Sequence, residues 1–247
     1  MSSMVPDPIF SDPRLALLYD TFDGDRSDLP SYLRLAEELG ARSLLDIGCG
    51  TGAFAIQAAR AGLSVVAVDP AAASLSVARR KAGASRVLWH EGTAQTAPMA
   101  EADLASMTGN VAMVFLTDDE WLATLGAVRE RLAPAGHLVF ETRRPEARAW
   151  ESWARDDTDF VRVVDGVGPV RQRREVLAVS LPFVSFRYTY TFPDGAEVES
   201  VSTLRYRGDA ECRRLLSAAG MHVVDVRDAP DRPGLERVYL ARPLRAG

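Results

Sequence analysis

The stretch SLLDIGCGTG, residues 43–52, decides the fold of this chain. Its apolar half ends at Ile47, and Gly48, Gly50 and Gly52 follow at once. The next residues, AFAIQAARAG, place apolar side chains at helical spacing and end at a glycine, which suits a helix C-cap. A buried strand, a glycine-rich turn and a helix in this order predict a loop whose backbone approaches a ligand closely.

Outward from this loop, apolar runs alternate with helical patterns through the first half of the chain. One helix opens at Thr117 with a capping box, in which Glu120 stands at the third helical position, and Pro134 and Gly136 are expected to end it. Strands that alternate with helices predict right-handed βαβ units in a parallel sheet, with the ligand at the carboxyl ends of the strands. The predicted strands are SLLDI, SVVAVD, RVLWHEG, ADLASMTGN and HLVFET.

After Trp153 the pattern changes to a period of two, which is typical of antiparallel strands. Hairpin turns are predicted at Asp165-Gly166 and at Pro193-Asp194-Gly195. A helical pattern and two further strand candidates then complete the larger sheet. We therefore expect an inserted antiparallel meander of three or four strands. The predicted divisions are an N-terminal lid at 1–42, a core at 43–153 and 207–247, and an inserted β cover over the substrate site at 154–206.

The composition of the 247 residues argues against several kinds of partner. A net charge of −5 disfavours nucleic acid and anionic membranes, which bind basic surfaces. No apolar run is long enough to span a bilayer, and the N-terminal residues lack the basic and apolar regions of a secretory signal. Cys49 and Cys212 are too few for a disulfide framework, so a cytoplasmic location is expected.

Two types of ligand fit the glycine loop. Gly48-x-Gly50-x-x-Ala53, with Asp69 about 20 residues further on, fits a dinucleotide fingerprint. A P-loop is excluded, because no Gly-Lys-Ser/Thr follows. Asp46 favours the other type, because a carboxylate would repel a pyrophosphate and attract an ammonium group. S-adenosylmethionine carries an ammonium group and a ribose but no phosphate. The alternative role for Asp46 is to cap the amides of the loop.

The residues from Leu44 to Gly52 resemble motif I of class I S-adenosylmethionine-dependent methyltransferases without a gap. Further resemblances follow in the order expected for that family: VVAVDP, EGTA, ADLASMTGNVAMVF and LAPAGHLVFET. The resemblance implies a Rossmann-like α/β fold, with a seven-stranded, mostly parallel sheet whose last strand is antiparallel and with helices on both faces. The segment before motif I resembles the lid of small-molecule methyltransferases, in which a pair like Tyr19-Asp20 often lies against the cofactor.

The resemblance also implies which residues hold S-adenosylmethionine, with S-adenosylhomocysteine as the product. Asp69 is expected on the ribose, and the loop EGTA near the adenine, where Thr93 replaces an acid that is common in the family. Tyr19 is expected either to contact the cofactor or to pack the lid down. The expected cofactor residues are Tyr19, Asp46, Gly48, Cys49, Gly50, Gly52, Asp69, Pro70, Gly92, Thr93, Ala94, Met107, Thr108 and Asn110.

Methyl transfer from a sulfonium depends more on the alignment of donor and acceptor than on dedicated side chains. His90, His137 and His222 fall at predicted positions away from the methyl group, so each is interpreted as structural. The sequence shows no metal-ligand cluster, and no metal is expected. No catalytic residue is assigned.

The methyl acceptor is expected to be a small molecule that lies above the strand ends. Arg143 is a candidate contact because it directly follows the fifth strand, and Trp150 and Tyr188 are aromatic candidates. Tyr188 shares one strand face with Phe186 and Tyr190, so the alternative is a core position between the meander and the sheet. An exposed edge of the meander could pair with a second copy in a homodimer.

The leading hypothesis is a small-molecule methyltransferase that is O- or N-directed. Two alternatives remain open. The chain could bind S-adenosylmethionine without transferring its methyl group, as a sensor or as a scaffold for a pericyclic reaction. It could also be an NAD-dependent oxidoreductase.

Overall fold

The computed structural model describes residues 5–98, 101–155 and 158–244, which form two β-sheets and eight α-helices. Within these ranges, no helix combines the length and the apolar character that a membrane span requires. The helices are α1 (Pro8–Ser11), α2 (Pro13–Asp23), α3 (Leu29–Glu38), α4 (Ala53–Arg60), α5 (Ala72–Arg80), α6 (Asp118–Arg131), α7 (Trp150–Arg155) and α8 (Asp209–Ala218). The strands are β1 (Ser43–Ile47), β2 (Ser64–Asp69), β3 (Val87–Glu91), β4 (Ala102–Met107), β5 (Leu132–Arg143), β6 (Asp159–Val164), β7 (Gly168–Ser180), β8 (Phe183–Thr191), β9 (Glu197–Arg205), β10 (Met221–Asp228) and β11 (Glu236–Pro243).

The larger sheet has seven strands in the order β10-β11-β5-β4-β1-β2-β3. β11 is antiparallel to both of its neighbours, and the other neighbouring strands are parallel to one another. The strand order reverses beside β1 and β4, so the ligand crevice lies at their carboxyl ends. The predicted fold class, with an antiparallel last strand, is confirmed.

Helices cover both faces of this sheet. On one face, α3 and α4 pack Tyr32 and Phe54 against a core that includes the fully buried Leu104. On the other face, α6 and α8 bring Trp121 and Leu215 into a second core. Each fully buried leucine contributes about 1.5–3 kcal/mol to stability. Because α4 begins directly after the glycine loop, this packing also holds the loop against the end of the sheet.

The smaller sheet is an antiparallel meander in the order β6-β7-β8-β9. Its hairpin turns include the two predicted ones, where Gly166 and Gly195 have φ angles of 71° and 82°. The turn between β7 and β8 was not predicted, because it contains Leu181-Pro182 and no glycine. One face of the meander packs against α1 and α2, where Leu18 and Tyr190 share a core. The inserted antiparallel sheet is therefore confirmed, with four strands, and it contacts the N-terminal helices.

The boundary between α6 and β5 differs from the prediction. The helix ends at Arg131 and the strand begins at Leu132, so Pro134 and Gly136 lie inside β5. Proline disfavours helical backbone in the residue before it, which ends the helix earlier than expected. A Cβ on Gly136 would lie 2.6 Å from the carbonyl oxygen of Ala102, so the glycine admits the start of β4 instead of capping a helix.

Candidate functional site

The three glycines of the loop between β1 and α4 serve different purposes. Gly48, Gly50 and Gly52 have φ angles of 66°, 53° and 80°, a region that L side chains rarely adopt. A Cβ on Gly48 would lie 2.6 Å from Val111, and one on Gly52 would overlap the indole ring of Trp89. In the described parts of the chain, no heavy atom beyond Gly50 and its two neighbours lies within 4 Å of the corresponding position on Gly50. Gly50 is thus the glycine of this loop that leaves space for a ligand.

Asp69, the last residue of β2, holds the loop in place. Its carboxylate accepts hydrogen bonds from the backbone N–H groups of Gly50, at 2.7 Å, and of Ala71, at 2.8 Å. Burial raises the pKa of this carboxyl, and the two N–H donors oppose the rise. A carboxylate can accept about four hydrogen bonds, so two further positions remain for a ligand such as a ribose hydroxyl.

Asp46 lies near the end of β1 and is 1% exposed. Its carboxylate accepts a hydrogen bond of 2.7 Å from the hydroxyl of Ser106 on the adjacent β4. Burial raises the pKa of Asp46 to about 7, although Ser106 and the guanidinium of Arg26 lower it. The ionised form is therefore poorly compensated in the free protein, and a cationic group of a ligand would stabilise it.

The loop amides find acceptors other than Asp46. The N–H groups of Gly48 and Cys49 donate to the carbonyl of Val68, and that of Gly50 donates to Asp69. The backbone N–H that lowers the pKa of Asp46 belongs to Ala55, in the first turn of α4. The N–H groups of Gly48, Cys49 and Gly50 therefore donate to acceptors other than Asp46, and contact between Asp46 and a cofactor stays a prediction.

Glu141 organises the loop after β4, and the sequence analysis missed it. Its carboxylate accepts hydrogen bonds from the backbone N–H groups of Gly109, at 2.7 Å, and Asn110, at 3.0 Å. The phenol of Tyr32 on α3 donates to its second oxygen. Burial raises the pKa of Glu141, and the nearby carboxylate of Glu236 raises it further. The available signal was the same as for Asp46, a carboxylate near the end of an apolar strand.

Helix α2, in the segment that is predicted to form a lid, is tied to the glycine loop through Asp20. The hydroxyl of Thr51 donates to one carboxylate oxygen at 2.5 Å, and the ammonium of Lys81 lies 2.5 Å from the other. The neighbouring Tyr19 packs against Phe10, with ring centroids 5.5 Å apart. Burial raises the pKa of Tyr19, so its phenol stays protonated at neutral pH. Contact between Tyr19 and a cofactor stays a prediction.

The remaining predicted cofactor residues occupy the same edge of the sheet. Burial raises the pKa of the Cys49 thiol, which disfavours a reactive thiolate. The N–H of Gly92 donates to the backbone carbonyl of Asp69 at 3.0 Å, and a Cβ on Gly92 would overlap the hydroxyl of Thr96. Pro70 and Thr108 are partly exposed after β2 and β4, Thr93 is partly exposed after β3, and Ala94, Met107 and Asn110 are buried.

The three predicted substrate residues lie in different parts of the structure. Arg143 ends β5, where it pairs with Glu236 at 3.3 Å and lies over the ring of Trp153. Trp150 is 5% exposed and packs edge-on against Tyr206. Tyr188 lies between Phe186 and Tyr190 on the face of the meander that meets the lid. Acceptor contacts by Arg143, Trp150 and Tyr188 stay predictions.

Arg26, in the middle of the segment between α2 and α3, is a second residue that the sequence analysis missed. Its guanidinium donates to Asp28 through two hydrogen bonds, of 2.9 and 2.8 Å, and its positive charge lowers the pKa of both Asp46 and Tyr19. It therefore brings a cation to the lid side of the buried Asp46. The chain offered no repeated pattern from which this position could be inferred.

The three histidines lie in unrelated places. His90 faces the hydroxyl of Thr96 at 3.0 Å, and His222 is exposed on the edge strand β10. His137 lies inside β5, where burial lowers its pKa. Among the described residues, no three His, Cys, Asp or Glu side chains are grouped to hold a metal ion.

Comparison with known proteins identifies the domain that contains the loop. Residues 44–136 match a family described as a methyltransferase domain. The malonyl-[acyl-carrier protein] O-methyltransferase of Pectobacterium atrosepticum is 32% identical over 130 residues, which cover 52% of this chain and 50% of that protein. The chain spans about half the length of the curated relatives it matches.

Solved structures align with nearly the whole chain. The sugar N-methyltransferase KedS8 from Streptoalloteichus sp ATCC 53650 superposes with a TM-score of 0.77 at 19% identity, covering 99% of this chain and 98% of that one. SAM-bound CalS10, an amino pentose methyltransferase from Micromonospora echinaspora, superposes with a TM-score of 0.65 at 21% identity, covering 88% and 92%. The predicted resemblance to class I methyltransferases is confirmed, in the domain at 44–136 and in the fold of the chain.

Proposed function

We propose that this chain transfers the methyl group of S-adenosylmethionine to an oxygen or nitrogen atom of a small molecule. The match of residues 44–136 to a methyltransferase domain supports the reaction class. The fold shared with SAM-bound CalS10 supports S-adenosylmethionine as the cofactor, with S-adenosylhomocysteine as the product.

The observation that carries this proposal is the buried carboxylate of Asp46 next to the glycine loop, together with the open space at Gly50. Asp46 lies below the loop on β1, and Asp69 binds the Gly50 amide from β2. A dinucleotide would bring its pyrophosphate to the N-terminus of α4, close to the Asp46 carboxylate, whereas Asp69 suits the ribose of either ligand. S-adenosylmethionine brings an ammonium group, the partner that the Asp46 carboxylate favours, and no phosphate. The dinucleotide alternative is therefore disfavoured.

When bound, S-adenosylmethionine supplies a methyl carbon that is already activated for in-line displacement. The protein's part is to hold the two reactants in line and to exclude water, which can account for about 7–11 kcal/mol of a barrier. Asp46 and Asp69 would hold the two ends of the cofactor. Glu141 fixes the backbone of Gly109 and Asn110 beside them.

We infer that transfer does not depend on a dedicated protein base. Tyr19 keeps its proton at neutral pH because burial raises its pKa. His90 is engaged by Thr96, and His137 lies within a strand. A neutral amine would attack through its lone pair and an acidic hydroxyl would bind already ionised, so the proton would be lost to bulk water after product release or before binding. The named relatives act on both kinds of atom, since one is an O-methyltransferase and another an N-methyltransferase.

Isothermal titration calorimetry with S-adenosylmethionine, S-adenosylhomocysteine and NAD tests the cofactor. We expect micromolar binding of the first two and no binding of NAD, and the reverse result would contradict the proposal. Methyl transfer is then measured with a methyl-labelled cofactor over a panel of small phenols, carboxylic acids, amines and amino sugars. Labelled product supports the enzyme, whereas tight cofactor binding without turnover of any acceptor favours the sensor or scaffold alternative.

A further inference from the structure

A cavity of about 420 Å³ lies between the segment that follows β5 and the loop that joins β10 to β11. The guanidinium groups of Arg143, Arg148, Arg155 and Arg232 line it, together with the indole of Trp153. Its volume is in the range of pockets that bind small molecules. Neither the proposed cofactor site nor its hydrogen bonds use this cavity.

The cavity offers many more hydrogen-bond donors than acceptors. Arg143 and Arg232 share the carboxylate of Glu236, at 3.3 and 3.0 Å, and Arg232 also lies 3.4 Å from the carboxylate of Asp231. Glu236 is 0% exposed, so its negative charge lies within the wall while the guanidinium groups line the cavity. Glu151 is the lining carboxylate among the described residues, and it already pairs with Arg148 at 2.7 Å. A ligand that fills this space therefore has to supply the acceptors.

The side chain of Arg143 has more hydrogen-bond donors than the described part of the protein supplies acceptors for. Its Nη1 pairs with Glu236, but its buried Nε has no hydrogen-bond partner among the described residues. Its guanidinium lies 5.0 Å from the centre of the Trp153 ring, a cation–π arrangement that fixes its plane. A planar guanidinium held in a fixed orientation suits a carboxylate or a phosphate, which can accept from two N–H groups.

The cavity adjoins the edge of the sheet where the cofactor is proposed to bind. Arg143 is the last residue of β5, and it pairs in register with Glu236, the first residue of β11. The side chain of Asn110 donates to Glu236 at 3.2 Å, and the backbone of Asn110 is held by Glu141. Two hydrogen-bonded contacts thus connect the arginine-lined cavity to the loop after β4.

From this arrangement we propose that the cavity binds an anionic group, a carboxylate or a phosphate, of the methyl acceptor. The proposal rests on the proposed function for the identity of the ligand as the acceptor. The planar ring of Trp153 gives the adjoining part of the acceptor an apolar surface. An acceptor anchored at its anionic end would extend from the cavity toward the methyl donor, so the anchor selects acids over neutral molecules of the same shape.

The probes for this site are benzoate, phenyl phosphate and the neutral benzamide, titrated at physiological ionic strength. The protein is labelled with 5-fluorotryptophan, and the Trp153 resonance is assigned with Trp153→Phe. We expect benzoate, phenyl phosphate or both to shift that resonance saturably, and benzamide to leave it unchanged. The acid that binds more tightly, as judged by the shift of this resonance, identifies the preferred anionic group as a carboxylate or a phosphate. Equal binding of benzamide, or no saturable binding of either acid, would overturn the proposal.

The variant for this test is Arg148→Ala/Arg155→Ala, because neither side chain contacts the buried Glu236. We expect at least a tenfold loss of affinity for the acid that binds, whereas the control Arg80→Ala, on the exposed side of α5, keeps it. Unchanged affinity in the double variant would remove these arginines from the site. Calorimetry with S-adenosylhomocysteine separates the two proposals: the double variant should bind it normally. If the wild-type protein does not bind it, the proposed function fails while the anion test still stands.

Discussion

The carboxylate of Asp46 lies 2.7 Å from the hydroxyl of Ser106, and the two residues are register partners on adjacent parallel strands. This hydroxyl is a neutral donor, so it compensates a buried negative charge only in part. The consequence is an acid that titrates near neutral pH at the floor of the glycine loop, with a pKa of about 7. Both the ligand affinity and the stability of the protein should therefore change with pH as Asp46 ionises.

Cofactor affinity should rise with pH, because the ammonium group of S-adenosylmethionine favours ionised Asp46. With a pKa of about 7, the protein is mostly protonated there at pH 6 and mostly ionised at pH 8. We expect affinity to increase about tenfold across that interval, with a proton released on binding. Calorimetry in buffers of different ionisation enthalpy measures both quantities. Asp46→Asn should bind about tenfold or more weakly and show a flat profile, and a slope that persists in this variant would exclude Asp46 as its source.

The stability of the ligand-free protein should respond to the same group with the opposite sign. In the unfolded chain this carboxyl ionises near its ordinary pKa of about 3.9, whereas in the folded protein it does so only near 7. The folded state therefore binds more protons between these values, and its contribution to the free energy of unfolding falls as pH rises from about 4 to about 7. Urea unfolding of wild type and Asp46→Asn across this range isolates the effect. The free energy of unfolding of the wild type should fall relative to that of Asp46→Asn as pH rises toward 7. A difference between the two proteins that does not change with pH would show that Asp46 does not titrate in this range.

Alanine substitutions should distinguish Gly50, which leaves space for a ligand, from Gly52, which packs against Trp89. Gly50→Ala meets open space and bears only the backbone strain of its φ angle, about 1–2 kcal/mol. It should stay folded and lose cofactor affinity. Gly52→Ala should unfold at lower urea concentration than Gly50→Ala, because its Cβ overlaps the outer ring atoms of Trp89. Trp89→Phe removes those atoms, so Gly52→Ala/Trp89→Phe should cost less than the sum of the two single changes. If the destabilisation of the double variant equals the sum of the two single effects, the overlap with Trp89 is not the cause of the destabilisation by Gly52→Ala.

Sequence reasoning found Asp46 and Asp69 because each is a lone acid at the end of an apolar strand, next to the loop that it serves. Glu141 has the same placement, yet its partner Tyr32 is 109 positions away, and no local pattern contains that pairing. The roles of two glycines were equally inaccessible, since Val111 and Trp89 reach them only after the sheet has formed.

The element pattern was predictable for a related reason. Strand periodicity, capping residues and hairpin glycines act within a few neighbouring residues, so the order of elements and both glycine-containing turns could be inferred. The end of α6 depends on the residue before Pro134 and on how Gly136 packs against Ala102. Three of the arginines that line the cavity, Arg143, Arg148 and Arg155, are close together in the chain. Their meeting with Arg232 depends on a distant segment, so the cavity itself could not be inferred from the sequence.

Glu141 should stabilise the fold through its three hydrogen bonds rather than through its charge alone. Glu141→Ala leaves the N–H of the exposed Gly109 and the buried donors of Asn110 and Tyr32 without an acceptor, which should cost about 2–5 kcal/mol. Glu141→Gln keeps a carbonyl oxygen for them and should cost clearly less. Tyr32→Phe removes the remaining bond, so its effect should shrink in the Glu141→Ala background. Chemical unfolding of the wild type, the three single variants and the double variant Glu141→Ala/Tyr32→Phe gives this comparison. An undiminished effect of Tyr32→Phe would show that the phenol does not act through Glu141.

The contact between Asp20 and Thr51 should control how long the cofactor stays bound. It joins lid helix α2 to the glycine loop, and Lys81 supports it from α5 with a partly exposed ion pair. A charge-assisted hydrogen bond contributes about 1.5–3 kcal/mol when buried, and partial exposure here reduces that to about 1 kcal/mol. Asp20→Ala and Thr51→Val should therefore each speed dissociation of S-adenosylhomocysteine about fivefold in stopped-flow measurements, and Lys81→Met should do so by less. Asp25→Ala, in the same lid segment, is the matched control. If it accelerates dissociation as much as Asp20→Ala does, the effect belongs to the charge of the lid and not to this contact.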